Sequence, residues 1–396
     1  MRRLNRTLLA VAFCMVAAQA FSMDFGSTIG DSTTLSGTSS GINLTQKNTA
    51  SAWISDKIDE FSSLYISVVY QFYGNFLLSP ELGVDSLRPY QFTAGRIEWE
   101  GFKSLGPESS LRWSLGRVPF QDYSGRVVNG VFDGGLVEMS FGSIQVRAAV
   151  ALSGLIFKED ALVIIDNDDI DILFDDTRNF APRRLLSSVS TRFIEMVPML
   201  DIGFDAWAQF DVEDGDTTTH TQYLEPFIEG RVGRELRWRL WGVGQLGQED
   251  GEFFYSAAAG GRVGYSLPEL LGFNLSASAL WAAGDYGGSM RRFLPINAAS
   301  IATITGTTFS DAMSLALDGS IAPSSALSAG AGAAVILIPG QAGSAYEGTE
   351  ATARVSYAPY NDLNTTLQGG VFLPNTSNGA GSSMYWSVSL GATLKL

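Results

Sequence analysis

Apolar and polar residues alternate one by one through short runs spread along nearly the whole chain, and no polar-faced helix pattern is available to cover the apolar sides. Between 235 and 246, Leu236, Trp238, Leu240, Gly242, Gly244 and Leu246 share one strand face while Arg237, Arg239 and Gln245 share the other. The same pattern marks 91–101, 111–118, 202–211, 224–233 and 384–396. In a soluble protein each apolar face would have to be buried against another layer. Repeated so often without covering elements, it needs lipid, and the fold that satisfies every backbone group while doing so with strands is a closed, antiparallel, up-and-down transmembrane β-barrel.

The ends of the chain are consistent with export. Arg2, Arg3 and Arg6 precede the apolar run 8–18, and Ala18-Gln19-Ala20 is a small-x-small site, so residues 1–20 are expected to be a secretory signal peptide and 21–396 a single barrel domain. Losing the three arginines takes the formal charge from −15 to −18, which argues against a nucleic-acid partner. Cys14, the one cysteine, lies within the apolar run, which leaves the mature chain without disulfides or thiolate metal ligands. Phe13 stands where a lipidation site wants a small residue, which favours the plain signal peptide. Beyond residue 20 no uninterrupted apolar stretch reaches the roughly 18 residues of a transmembrane helix.

Short turns are expected at 56–62, 102–109, 141–143, 196–198, 233–234, 266–271, 322–324 and 358–362. Longer or more polar connections fall between them, at 77–89, 119–133, 155–184, 212–219, 247–253, 285–310, 339–347 and 374–383. Short periplasmic turns alternating with longer extracellular loops are the mark of a bacterial outer-membrane barrel. Counting back from the last strand gives seventeen, and 24–36 supplies the even partner, for eighteen strands, or sixteen if two weak Gly/Ser-rich strands fail. Trp53, Trp99, Trp113, Trp238, Trp386, Tyr70 and Tyr357 are expected on outward faces as interfacial girdles. At this size the interior is too wide for strand side chains to fill, so the barrel should enclose water.

Leu44-Thr45-Gln46-Lys47-Asn48-Thr49 running into Trp53-Ile54, and Gly116-Arg117-Val118-Pro119-Phe120-Gln121-Asp122 followed by Gly130-Val131-Phe132-Asp133-Gly134, resemble segments of bacterial outer-membrane porins. The likeness extends to the porin-like barrels of spirochaetes, which share features with alginate-export barrels. It implies a water-filled channel for passive diffusion of small polar or charged solutes, assembled by the barrel-assembly machinery. Such barrels generally end in an aromatic residue, whereas this chain ends in Leu396.

The polar strand faces supply the expected pore lining: Arg96, Glu98, Glu100, Arg112, Glu138, Arg147, Arg192, Asp205, Glu225, Glu229, Arg231, Arg237, Arg239 and Arg354. Charges of both signs on a pore wall order water and favour polar solutes. The connection 119–133, with Asp122, Arg126 and Asp133 among glycines, is the expected constriction loop. In 155–184 eight carboxylates crowd around the apolar run 161–165. The stretch 166–171 lacks the glycine and terminal glutamate of an EF-hand, so a solvated acidic loop is preferred to a calcium site, with the apolar run packed into the mouth as a lid. The one histidine, His220, sits beside Asp211, Asp214 and Asp216 without a nucleophile motif, so neither catalysis nor a cofactor is expected. Two other readings stay open, a surface adhesin acting through 155–184 and 285–310, and a fatty-acid transporter with an apolar interior. A homo-oligomer is compatible with each.

Overall fold

The computed structural model describes residues 23–38, 41–78, 83–161, 163–175, 177–213, 217–285, 289–297, 300–339, 345–375 and 383–396. The expected signal peptide and residues Asp176, Asp214 and Asp216 lie outside them. Eighteen strands form one closed antiparallel sheet. In chain order they are β1 (Asp24–Thr38), β2 (Gly41–Lys57), β3 (Ser62–Leu77), β4 (Gly83–Gly106), β5 (Ser109–Gln121), β6 (Asn129–Phe141), β7 (Ile144–Leu152), β8 (Arg184–Val197) and β9 (Leu200–Asp211). The second half comprises β10 (Thr219–Val232), β11 (Leu236–Glu249), β12 (Glu252–Leu267), β13 (Phe273–Ala282), β14 (Ala312–Ser324), β15 (Leu327–Leu337), β16 (Tyr346–Tyr360), β17 (Leu363–Pro374) and β18 (Tyr385–Lys395). Each strand pairs with its chain neighbours, and β1 pairs with β18 from Thr28 opposite Lys395 to Gly37 opposite Trp386. Ser27 and Leu396 exchange both backbone hydrogen bonds, at 2.9 and 2.8 Å, so the ring closes and leaves no sheet edge there. Eighteen strands is the number expected from the turn parity.

Both chain ends of the barrel lie on the side of the short turns. At the opposite end two connections, besides 119–133, are shorter than the sequence pattern predicts. The expected loop 247–253 is a tight turn at Asp250 and Gly251, and β4 begins at Gly83, well before residue 89. Outward strand faces are apolar and bare, with Ile97 62% and Leu246 63% exposed, and aromatic residues such as Tyr70, Trp99, Tyr255 and Tyr357 share those faces. Bare apolar surface over a closed sheet calls for lipid around it.

Tryptophans repeatedly cover glycines on the neighbouring strand: Trp113 lies over Gly101, Trp238 over Gly230 and Trp241 over Gly260. A Cβ at Gly101 would come within 2.0 Å of the Trp113 ring, so the glycine makes room for the indole. Trp53, expected outside, follows this rule on the inner face: it covers Gly26 and stacks on Tyr65 with centroids 6.0 Å apart. Alternation alone placed it outside because its partners, Gly26 and Tyr65, are remote in sequence.

The buried core is inside the barrel. Val118, Phe120, Val127 and Phe132 from the β5–β6 hairpin pack with Ala161, Val163 and Ile165 and with Phe293, Ile296 and Phe309 from the connection 283–311, against Trp207, Tyr223 and Trp241 on the wall. The interior, expected to enclose water, is therefore partly filled, by loops rather than by strand side chains. Ala161, Val163 and Ile165 of the expected lid run are part of this packing.

Candidate pore and its constriction

The β5–β6 hairpin leaves the wall at a pair of opposed glycines, Gly116 and Gly134. Pairing of β5 with β4 stops at Gly116 opposite Glu98, and pairing of β6 with β7 stops at Asp133 opposite Leu152, while β5 and β6 stay paired out to Gln121 and Asn129. Gly116 has φ +119° and a Cβ there would sit 2.0 Å from the Ile97 carbonyl oxygen, so only glycine fits this departure point. One step further on, Arg117 grips Asp133 with two parallel hydrogen bonds of 2.9 Å and donates to the carbonyls of Gly95 at 2.8 Å and Leu155 at 2.9 Å. This bidentate pair joins the departing hairpin to β4 and to the following loop.

The expected constriction loop is thus mostly strand. Asp133 belongs to β6 and is committed to Arg117 at the wall, which removes it from the constriction. Asp122 is buried and accepts from the backbone N–H groups of Val127 at 3.0 Å and Val128 at 2.7 Å, holding the hairpin tip closed. Arg126 lies over the Phe309 ring and donates to the Ser300 carbonyl, and burial lowers its pKa. The tip reaches β9 and β10 through Tyr123, whose N–H donates to Asp205 at 2.7 Å and whose hydroxyl donates to Glu229 at 2.6 Å. Its ring stacks on Phe227 at 3.7 Å. Ser124 N–H donates to Glu225 at 3.0 Å.

Asn297 ties three segments together. It accepts from the N–H of Asn129 at 3.1 Å, donates to the Ala161 carbonyl, and stands opposite Val163 in a β-bridge. The connection that carries it rests on the wall at both ends: Gln245 and Leu294 exchange hydrogen bonds of 3.0 and 3.1 Å, and Glu350 accepts from the N–H groups of Thr303, Ile304 and Thr305 at 2.8–2.9 Å.

The β7–β8 connection carries α1 (Lys158–Ala161) and α2 (Asn167–Phe174). Asp166 caps α2, with Asp169 closing the reciprocal half of a capping box. Both carboxylates also meet Arg184 at 2.7 Å, and Asp211 approaches the same guanidinium at 3.2 Å, all nearly free of solvent. Asp166 and Asp169 are therefore not part of a solvated acidic loop. Burial, offset only in part by the Arg184 cation, lifts Asp169 to about 6. At the outer rim, burial works against Glu213, yet hydrogen bonds from Arg183 and Arg178 hold its carboxyl down at about 2. His220, the sequence's one acid–base candidate, accepts from the Asp211 N–H at 3.1 Å and leans on Phe210.

All fourteen charged residues expected in the lumen occupy inward strand positions, but in three environments. Asp205 and Glu225 are buried under the hairpin tip. Arg96 and Glu98 pair with each other, Arg147 donates to Gln121 of the hairpin at 2.9 Å, and Arg231 pairs with Glu195 at 2.6 Å. Arg192 bridges Asp201 and Glu229. Glu100 accepts from Ser63 at 3.3 Å, and Glu138 stands opposite both Arg112 and Arg147. Arg112, Arg237, Arg239 and Arg354 have no carboxylate within ion-pair distance among the described residues; Arg354 donates to Ser356.

Beneath the hairpin, a cavity of about 590 Å³ is lined by five arginines, Arg192, Arg231, Arg237, Arg239 and Arg262, facing three carboxylates, Glu195, Asp201 and Glu229. Those three carboxylates are the ones engaged by Arg192 and Arg231. The sequence reading missed Arg262 because Gly260 and Gly261 interrupt the alternation before it. On β1 and β18 the inward Ser and Thr form a neutral stretch of wall, with Thr34 donating to Ser389 at 2.9 Å.

No family model matches the chain, and no curated protein does. Solved structures share its fold. Pseudomonas aeruginosa OccK9 (OpdG) has a TM-score of 0.59 at 13% identity, over 94% of this chain and 98% of that one. OccK7 (OpdD) of the same organism gives 0.59 at 10% identity with the same coverage, and OccK2 (OpdF), solved in complex with glucuronate, gives 0.57 at 11% over 94% and 98%. The similarity is one of architecture, an eighteen-stranded barrel that this chain spans almost completely.

Proposed function

We propose that this barrel is a bacterial outer-membrane porin that passes small polar solutes and favours organic anions. The observation that carries the reading is the cavity under the hairpin, where Arg237, Arg239 and Arg262 keep their charges unspent in a protein of net charge −15. A low-dielectric wall focuses such a field on whatever enters. Glucuronate, the ligand of one structural neighbour, is a sugar acid of the class this cavity suits. The likeness to spirochaete and alginate-export barrels rests on the short motifs alone. Delivery by a signal peptide, insertion by the barrel-assembly machinery and surface exposure of the loop end complete the proposal. Packing of Ala161, Val163 and Ile165 and of Phe293, Ile296 and Phe309 inside the barrel speaks against an adhesin built on those loops. The charged cavity speaks against a fatty-acid route.

The test is planar-bilayer recording of the purified protein in a KCl gradient, with glucuronate and glucose added as competitors. The expected result is an anion-selective reversal potential and a current reduced by glucuronate and unaffected by glucose. Cation selectivity would overturn the preference, and absence of conductance would overturn the porin.

A further inference from the structure

The lipid-facing side of β1 and β2 carries a polar cluster where every neighbouring position is apolar. Asp31 and Thr33 on β1 lie on the same outward face as Ile29 and Leu35, and they stand opposite Asn48 and Gln46 on β2. Next door on β18, Ala392 and Leu390 face the same way, and Ile29, Leu390 and Leu394 are all exposed. Gln46 Nε2 donates to the Asp31 carboxylate at 2.7 Å, Asn48 Nδ2 donates to the same oxygen, and Thr33 Oγ1 donates to Gln46 Oε1 at 2.6 Å. Asp31 has no cation within ion-pair distance among the described residues. Elsewhere on described outward strand faces, ionisable side chains sit near strand ends or, like Arg117 and Asp133, neutralise one another.

A carboxylate held toward hydrocarbon with amides for company is costly unless something polar covers it. The cover must itself lie within the membrane, since apolar wall extends along the strands on both sides of the cluster. Each amide NH₂ has two hydrogens. Gln46 and Asn48 each spend one on Asp31, and the second is left for another acceptor. The cluster thus offers a carboxylate with spare acceptor capacity beside two spare donors, which makes it complementary to itself. A two-fold contact uses that pattern, because each copy presents to the other what it receives.

We propose that the outward face of β1 and β2 is a subunit interface at which a second copy of this chain seats, the Asp31 of each copy accepting from the Gln46 and Asn48 amides of the other. The face lies away from the hairpin and from the arginine cavity, so pairing leaves conduction untouched.

The experiment uses the full mature chain, which contains no cysteine if Cys14 leaves with residues 1–20. Thr33→Cys and, as a control five strands away around the ring, Leu315→Cys are oxidised in native outer membranes and resolved by mass. The interface requires a disulfide-linked species of twice the chain mass for Thr33→Cys and less than a tenth as much for Leu315→Cys. A second arm measures mass in mild detergent for the unaltered chain and for Asp31→Leu with Gln46→Leu. The doubled mass should be lost in the variant while bilayer conductance persists. Equal cross-linking at both positions, a link to a protein of different mass, or a unit-mass unaltered chain that also gives no Thr33 link would each overturn the proposal. Retained conductance in the variant separates its failure from failure of the porin reading.

Discussion

Arg239 on β11 stands directly opposite Arg262 on β12, with Glu229 as its partner on the other side, and no carboxylate lies within ion-pair distance of either arginine among the described residues. Like charges placed opposite one another across a ladder oppose folding by up to about 1 kcal/mol, and less where water screens them. A pair kept at that cost is expected to act on the solute. Replacing both by alanine should leave the melting temperature equal or slightly higher while abolishing anion selectivity. Arg239→Glu should reverse the sign of the reversal potential. Bilayer recording with thermal melts of the same preparations checks both halves.

Removing the cation at the centre of the lid anchor should release the lid. Arg184→Met leaves Asp166, Asp169 and Asp211 buried around an apolar side chain. Stranding buried charge of this kind costs roughly 3–5 kcal/mol. The 153–183 segment should become cleavable by protease added to proteoliposomes, while the wall strands keep their heat-resistant migration in gels. An uncleaved lid would show that apolar packing of Val163 and Ile165 suffices to hold it.

Acidity should tighten that same lid. Asp169 has its pKa raised to about 6 in the folded chain, above its ordinary value near 4. A raised carboxyl contributes stability that is full below the unfolded value and is lost as pH rises through the folded one. Hydrogen-exchange protection of α2 amides, corrected for intrinsic rate, should be greater at pH 4.5 than at pH 7.5. Asp169→Asn should flatten this difference. Glu213, held down at about 2, works in the opposite direction, and most of its effect falls below the window.

Gly116→Ala tests the point at which the hairpin leaves the wall. Its positive φ and the 2.0 Å approach to the Ile97 carbonyl predict a loss of at least about 1–3 kcal/mol, seen as a lower unfolding temperature or failure to insert. Gly244→Ala, where an added Cβ meets nothing within 4 Å, should be silent.

Asn297→Ala removes the side chain that joins the hairpin, the lid loop and the β13–β14 connection. Two hydrogen bonds to backbone disappear, a loss on the order of 1–3 kcal/mol of loop packing. Single-channel conductance should rise and become noisier, with no change in the strand signature of the circular dichroism spectrum.

Strand count, turn parity and the inward set of charges were legible because a wall residue's environment depends on its parity, and parity is local. Glu350 shares a face with Arg354 for the same reason and could have been read. Placing Trp53 inward required knowledge of Gly26 and Tyr65 across two ladders. Of the plug, the inward turn of 119–133 and the packing of the apolar run at Ala161 were legible, but the way Asn297 meets Val163 and Gly130 was not, since the composition of the connection that carries it looks like solvent-facing polypeptide. Asp133 belonged to an expected loop only because Gly130 and Gly134 resemble turn residues. In the fold, Gly116 and Gly134 mark a bend between two paired strands.

The contact that closes the ring joins Ser27 to Leu396, whereas most of the packing inside it comes from residues 116 to 312. Bringing the chain ends together carries the largest loop-closure entropy of any pairing in the molecule. The interior segments can meet before that final seam forms, when the curved sheet is still open along one side. A barrel closed first would have to thread a hairpin, two short helices and a long loop through its own mouth. The order of assembly is thus written into which residues fill the bore, and a substitution that delays their packing should be felt as slow insertion as well as altered permeation.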